Sequence, residues 1–240
     1  MKKLLITIGV FIFINLSLFA KSGIEAIINV PMGLSVGMPM GKIDNISRKP
    51  DLGFDIGISG SFGYMIDLKN GMGVSILGEA GYSYDTYAYS VSEDKSKTSI
   101  KFHNFQIGIL PKFNIGDFSI GLGVGVKIPL VGYEYIETKS EENKNQSTIN
   151  VTKYDIAYIT AAYNYINVIP YIKLTFDYSI FNTHNIAANV GLYAGYEFGV
   201  RKKSEDNKIT SVDSIDMGLQ FGLRFAPSQL VAIDTKEKEQ

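Results

Sequence analysis

From Ile215 to Phe225 every second residue is apolar: Ile215, Met217, Leu219, Phe221, Leu223 and Phe225. Between them stand Asp216, Gly218, Gln220, Gly222 and Arg224. A two-residue period held this long separates into two clean faces only on a β-strand. The alternation recurs along the chain. It runs from Ile24 to Met38, from Leu52 to Ile66, and from Val74 to Tyr84, after which Tyr87 and Tyr89 break parity and predict a bulge or a frayed end. A fourth strand is predicted over 100–113, with Ile100 and Phe102 on one face and Phe105, Ile107, Ile109 and Phe113 following a one-residue slip near His103 and Asn104. In the fifth, Phe118 to Leu130 opposes Ser119, Gly121, Gly123, Gly125 and Lys127, and Tyr133 and Tyr135 then shift parity. The sixth covers 171–180. Upstream of it, 156–169 fits either an extension of the strand or a helical turn, with Ile156, Ile159, Tyr163 and Ile166 at helical spacing. A seventh runs over 186–201, and 213–225 is the eighth. The connections alternate: 41–51, 92–99, 138–152 and 202–210 are long and polar, whereas 67–71, 114–117 and 182–185 are short. Asn70-Gly71 suits the positive φ of a tight hairpin.

Composition adds the compartment. Lys2 and Lys3 precede an apolar run over 4–18 that ends near Ala20, which reads as a cleaved signal peptide over 1–20. A barrel domain over 21–226 and a polar tail over 227–240 complete the expected organisation. The chain has no cysteine, so neither a disulfide framework nor attachment of lipid through cysteine is available. A net charge of −1 gives no electrostatic case for nucleic acid. Tryptophan is absent, so any aromatic belt at a membrane interface must use the 15 tyrosines and 14 phenylalanines.

Alternation alone does not say which face meets solvent. A soluble lipid-binding barrel would turn the apolar face inward. Three features point to lipid outside instead. The opposite face is rich in glycine and carries Glu25, Asp55, Glu79, Lys127, Lys173, Asp177, Glu197, Asp216 and Arg224. Such residues suit the narrow interior of an eight-stranded barrel, where they would pair and fill the lumen rather than line a pore. The apolar face of the clean strands is free of charge, as expected where a charge at the bilayer midplane costs about 2–4 kcal/mol. The long and short connections also alternate with the phase of a chain threaded outward from the periplasm.

The pattern over 23–225 resembles the small eight-stranded outer-membrane barrels of the OmpA-type, OmpX-type and opacity-protein group. Asp216, Gly218, Phe221 and Leu223, with the terminal aromatic Phe225, are similar to the signal by which such barrels are recognised for assembly. The resemblance implies an all-β, closed, antiparallel up-and-down transmembrane barrel in the bacterial outer membrane. Its partners would be outer-membrane lipid and the barrel-assembly machinery, and it would need no cofactor and no metal. The chain departs from the family in that fifteen residues follow Phe225. Pro31, Pro111, Pro129 and Pro170 lie in predicted strands, where bulges or positions above the membrane are expected.

Candidate chemistry is sparse. Gly121, Gly123 and Gly125 mimic a phosphate loop, but no helix follows, so they read as inward strand positions. His103 and His184 are the two histidines. His103, with Ser83 and Asp85 on the preceding strand, is the one constellation with the residue types of a lipid-modifying triad; the bland alternative is a polar rim residue. Asn45, Asn145 and Asn150 head glycosylation-like triplets that have no meaning in a bacterial envelope. The function expected is therefore a non-enzymatic surface protein presenting four outer loops to an extracellular ligand. A narrow porin-like channel for small solutes is the alternative.

Overall fold

The computed structural model describes residues 22–40, 47–91, 96–139, 147–155, 168–182, 185–203 and 209–227. Nine strands account for nearly all of them: β1 (Gly23–Met40), β2 (Arg48–Lys69), β3 (Met72–Val91), β4 (Ser96–Ile115), β5 (Phe118–Lys139), β6 (Ser147–Asp155), β7 (Ile169–Phe181), β8 (Ile186–Lys203) and β9 (Ile209–Phe225). Every pairing is antiparallel, and β4 joins β5 while β1 joins β9, so eight strands close into a ring. The ninth strand is β6. It pairs with the outer half of β5, from Val131 to Lys139, while β7 pairs with the inner half, from Phe118 to Lys127. One wall of the barrel is thus made in two pieces.

Closure leaves no strand edge in the spanning region, which a bilayer requires because it offers no hydrogen bonds to backbone. The tight turns gather at one end. Asn70 and Gly71 have φ of 54° and 75°, the paired positive values of a type I′ hairpin, and Gly116 has φ of 56°. Backbone bonds lace these turns together, from Gly116 N to Gly71 O (2.6 Å), from Ser179 N to Asp117 O (2.8 Å) and from Ala226 N to Asn185 O (3.1 Å).

The polarity of the barrel is inverted. Ile24, Phe62 and Ile76 are 64%, 64% and 61% exposed, whereas Glu25 and Asp177 are fully buried. The outward faces of β1, β2, β4, β5, β7 and β9 are apolar toward the turn end. A water-soluble barrel could not carry that surface, since monomers rarely expose apolar patches beyond a few hundred Å². Phe118, Phe176 and Tyr178 cluster on the outside near the turns, with ring centroids 5.8 and 4.8 Å apart. A second outward aromatic group, Tyr82, Tyr84, His103, Tyr133 and Tyr135, lies further up. Tyrosine and phenylalanine thus mark two levels on the exterior, as the rings at bilayer interfaces do.

Several sequence expectations need correction at the outer end. The strands reach further than predicted: Arg48–Asp51 belongs to β2, 96–99 to β4, 138–139 to β5, 147–152 to β6, and 202–203 and 209–210 to β8 and β9. These stretches are polar on both faces because both faces stand clear of lipid, so no alternation marks them. At roughly 3.3 Å per residue and a tilt of about 40°, the 22 residues of β2 rise some 55 Å, about twice a bilayer's apolar thickness. Ile100 and Phe102 do not precede a slip in β4. They face inward on the same parity as Asn104 and pack with Tyr87, Ile169 and Val212. The register shift at His103/Asn104 arises instead in β5, where Asn104 pairs with Pro129 and His103 with Val131. That extra residue swings Tyr133 to the outside beside His103, consistent with the parity shift in the sequence. β3 is neither bulged nor frayed at Tyr87 and Tyr89, because its register with β4 runs unbroken to Val91. The bulge lies opposite, in β2, between Pro50 and Ile56. Of Pro31, Pro111, Pro129 and Pro170, Pro129 alone adjoins a register shift. Pairing lapses at Pro31 on the β2 side and at Pro111 on the β5 side without any slip. A strand residue's single N–H serves only one neighbour, so its loss opens one ladder and leaves the register intact.

Candidate functional site: the barrel lumen

The inward face of each strand builds a filled interior. Glycines opposite the large polar side chains make this sterically feasible. A Cβ on Gly123 would stand 2.8 Å from Lys173 Cγ, and one on Gly195 would stand 2.7 Å from both carboxylate oxygens of Asp216. The glycine-rich inner face is thus the space into which charged side chains fold back. Gly121, Gly123 and Gly125 serve this packing and form no phosphate loop, since β5 continues straight through them.

Nearest the turns, Arg224 is 2% exposed and donates from Nε to Glu25 Oε1 at 2.7 Å, from Nη1 to Ser179 Oγ at 3.2 Å and from Nη2 to Asn114 Oδ1 at 3.0 Å. Ser75 Oγ donates to Glu25 and receives Asn114 Nδ2 at 2.8 Å. One step up, Lys112 Nζ meets Asp177 Oδ2 at 2.7 Å, and Asn189 and Gln220 donate to the other oxygen. In the next layer Lys173 grips both oxygens of Glu79 at 2.6 Å, with Tyr171 OH adding a bond of 3.2 Å. In the fourth, Lys127 bridges Asp85 (2.8 Å) and Glu197, while Asn104, Ser83 and Tyr87 supply further donors. Above this the apolar group of Tyr87, Ile100, Phe102, Ile169 and Val212 covers part of the lumen.

All nine charged residues singled out in the sequence point inward. Seven of them lie in these ion pairs. Asp55 and Asp216 touch no cation among the described residues. Asp55 Oδ1 instead accepts Ser35 Oγ (3.0 Å) and Thr86 N (2.8 Å), satisfying an N–H that the β2 bulge strips of its ladder partner. Two charges that the sequence reasoning did not count, Lys112 and Asp85, complete the network. Their inward parity was readable, since Lys112 lies between the outward Pro111 and Phe113.

The triad reading of His103 does not survive the geometry. Its Nδ1 lies 2.5 Å from Tyr82 OH on the outside of the barrel, whereas Ser83 and Asp85 face the lumen through the opposite side of the sheet. Alternation along a strand makes a shared site impossible there. His184, Asn45, Asn145, the signal segment 1–20, the strand-or-helix segment 156–167 and the tail 228–240 lie outside the described residues. Asn150 is in β6.

Gly218, Phe221, Leu223 and Phe225 belong to β9, which closes the ring against β1. Phe221, Leu223 and Phe225 face outward, 41%, 48% and 38% exposed. Gly218 faces inward opposite Gly33, and Tyr193 lies beside both, its OH 2.7 Å from where a Cβ on Gly33 would stand.

The fold is an outer-membrane-type β-barrel. That conclusion rests on the closed ring, the apolar exterior and the polar, hydrogen-bonded interior. No protein-family model matches the chain, and no curated protein matches it. Among solved structures it is similar to Ail of Yersinia pestis, at 17% identity over 84% of this chain and 99% of that one, with a TM-score of 0.32. It is also similar to the outer membrane protease OmpT of Escherichia coli (10% identity, 85% and 96% covered, TM-score 0.42). A third is the outer membrane protein OprG of Pseudomonas aeruginosa (15%, 86% and 97%, TM-score 0.37). Likeness at these scores carries no argument about activity.

Proposed function

We propose that the protein is a non-enzymatic surface protein of the bacterial outer membrane, anchored by its barrel and acting through its outer end. One observation supports this above others: the lumen is filled by hydrogen-bonded ion pairs from the turns upward, while the strands run far beyond the apolar band. A plugged stalk of this kind displays its far end and conducts little. The β5–β6 hairpin is part of that display. Thr148, Asn150 and Thr152 are exposed on one face of β6 and Ile149 and Val151, 59% and 55% exposed, on the other. Apolar side chains raised on a hairpin with both faces exposed suit contact with another macromolecule.

The absence of cysteine makes the orientation directly testable. Asn150→Cys in β6 and Asn70→Cys in the tight turn each introduce a unique thiol. A membrane-impermeant maleimide applied to intact cells should label Asn150→Cys and spare Asn70→Cys; the reverse pattern would overturn the reading. Folded wild-type protein in a planar bilayer should show no reproducible single-channel steps. Regular steps would favour the narrow channel instead.

A further inference from the structure

The layers of Arg224, Lys112 and Lys173 each pair one cation with one carboxylate, and around Lys127 that balance fails. Around Lys127 a cavity of about 50 Å³ is lined by Asp55, Asp85, Glu197, Asp216, Lys127 and Tyr193, among others. Lys127 is already engaged by Asp85 and Glu197, and the neighbouring Lys173 by both oxygens of Glu79. Asp55 and Asp216 are left over. Both line this cavity and both lie beside Ser35. Ser35 is the cross-strand partner of Asp216, and its Oγ bonds Asp55, so the two carboxylates flank one serine. Asp216 is 92% buried, being 8% exposed, and its Oδ1 has no hydrogen-bond partner among the described residues. Buried carboxylates lining one cavity repel one another, and a charge without a partner away from water is costly, so the arrangement calls for more positive charge than Lys127, already shared by Asp85 and Glu197, supplies among the described residues.

We propose that this cavity is a binding site for one small monovalent cation, held by Asp216 and Asp55 beside Ser35. The described residues offer no cluster of three or more ligating side chains, so the site lacks the cage that a divalent metal needs. What it offers is carboxylate oxygen for a single charge, with the Tyr193 ring close by. A partly dehydrated alkali ion or the ammonium group of a small amine meets that description. A volume of about 50 Å³ favours a small cation over a bulky organic one.

The test uses the full-length protein folded in detergent micelles. Its unfolding midpoint is followed by circular dichroism in chloride salts of sodium, methylammonium or N-methyl-D-glucamine, at constant ionic strength. The midpoint should rise with sodium or methylammonium and stay flat with N-methyl-D-glucamine. A response to sodium alone identifies an inorganic ion, and a response to methylammonium identifies the amine class. Asp216→Asn should abolish the cation-dependent rise, whereas Asp51→Asn, which removes an equal charge from the half-buried Asp51–Lys97 pair at the outer end, should keep it. Should Asp216→Asn not fold, Asp55→Asn is read in the same way. Equal midpoints in all three salts would overturn the proposal and assign the excess charge to a shared proton. Persistence of the rise in Asp216→Asn would overturn it as well.

Discussion

Arg224 shows how single residues hold this barrel. Its guanidinium reaches Glu25, Ser179 and Asn114, which belong to β1, β7 and β4. The four strands thus meet at one side chain. Removing one partner of a buried ion pair strands the other charge, at a cost of about 3–5 kcal/mol. Arg224→Met should lower stability by that order in urea titrations of the protein folded in lipid vesicles. Adding Glu25→Gln should restore much of it, because the orphaned charge then disappears while the volume stays. If the double variant were no more stable than the single one, the pair would be contributing through packing alone. The inward placement of Glu25 and Arg224 was legible in the sequence because both sit in strands of unbroken period. Tyr87 and Phe102 were harder, for they are apolar side chains on the lumen face. Hydrophobicity alone assigns them to lipid; what turns them inward is that the strands keep their parity while the surroundings change above the membrane.

At the scale of the strand, alternation was informative only where the two faces see different media. Within the apolar band lipid lies on one side and polar side chains on the other, and the eight ring strands could be read there. Beyond it, β6 and the outer part of β5 meet water on both sides, so polar stretches that form strands looked like loops. Bulges were legible in the same uneven way. The extra residue near Leu130 left a trace because it moved Tyr133 and Tyr135 to the outside. The β2 bulge left none, because Leu52, Phe54 and Ile56 keep the outward parity through it. The lipid band itself can be mapped by charge. Leu219 faces outward, 44% exposed, in the middle of β9, whereas Tyr84 lies in the upper aromatic group. Leu219→Arg should cost about 2–4 kcal/mol and Tyr84→Arg about 0–1 kcal/mol, following the depth dependence of charge in a bilayer. Equal costs in vesicle-folding titrations would mean that the band is misplaced.

The whole molecule depends on one seam. β1 and β9 are at opposite ends of the sequence, yet they pair without a break from Ala26↔Phe225 to Met40↔Ser211. The lowest ion pair, Glu25 with Arg224, crosses the same seam, as does the bond from Asn189 to Asn29. In lipid an open β1 edge would leave unsatisfied backbone groups at several kcal/mol each, so closure and insertion are one event. If the outward Phe221 and Phe225 also present β9 to the assembly machinery, Phe221→Ser or Phe225→Ser should reduce the amount of protein reaching the outer membrane, while deletion of 228–240 should not. Cell fractionation measures both, and loss of assembly on deleting the tail would place the signal there instead. Closure itself can be fixed covalently, since the chain has no cysteine to compete. Val30 and Phe221 are register partners across the seam, whereas Val30 and Leu223 are offset by two residues. A disulfide needs Cα atoms about 4.4–6.8 Å apart. Val30→Cys with Phe221→Cys should therefore cross-link within one chain under mild oxidation and slow the heat-induced shift from compact to extended form on a gel, whereas Val30→Cys with Leu223→Cys should cross-link far less. Intermolecular dimers from the first pair would mean that β1 and β9 close against another copy rather than against each other. A faster cross-link from the second pair would mean that the seam has slipped by two residues, which would separate Arg224 from Glu25.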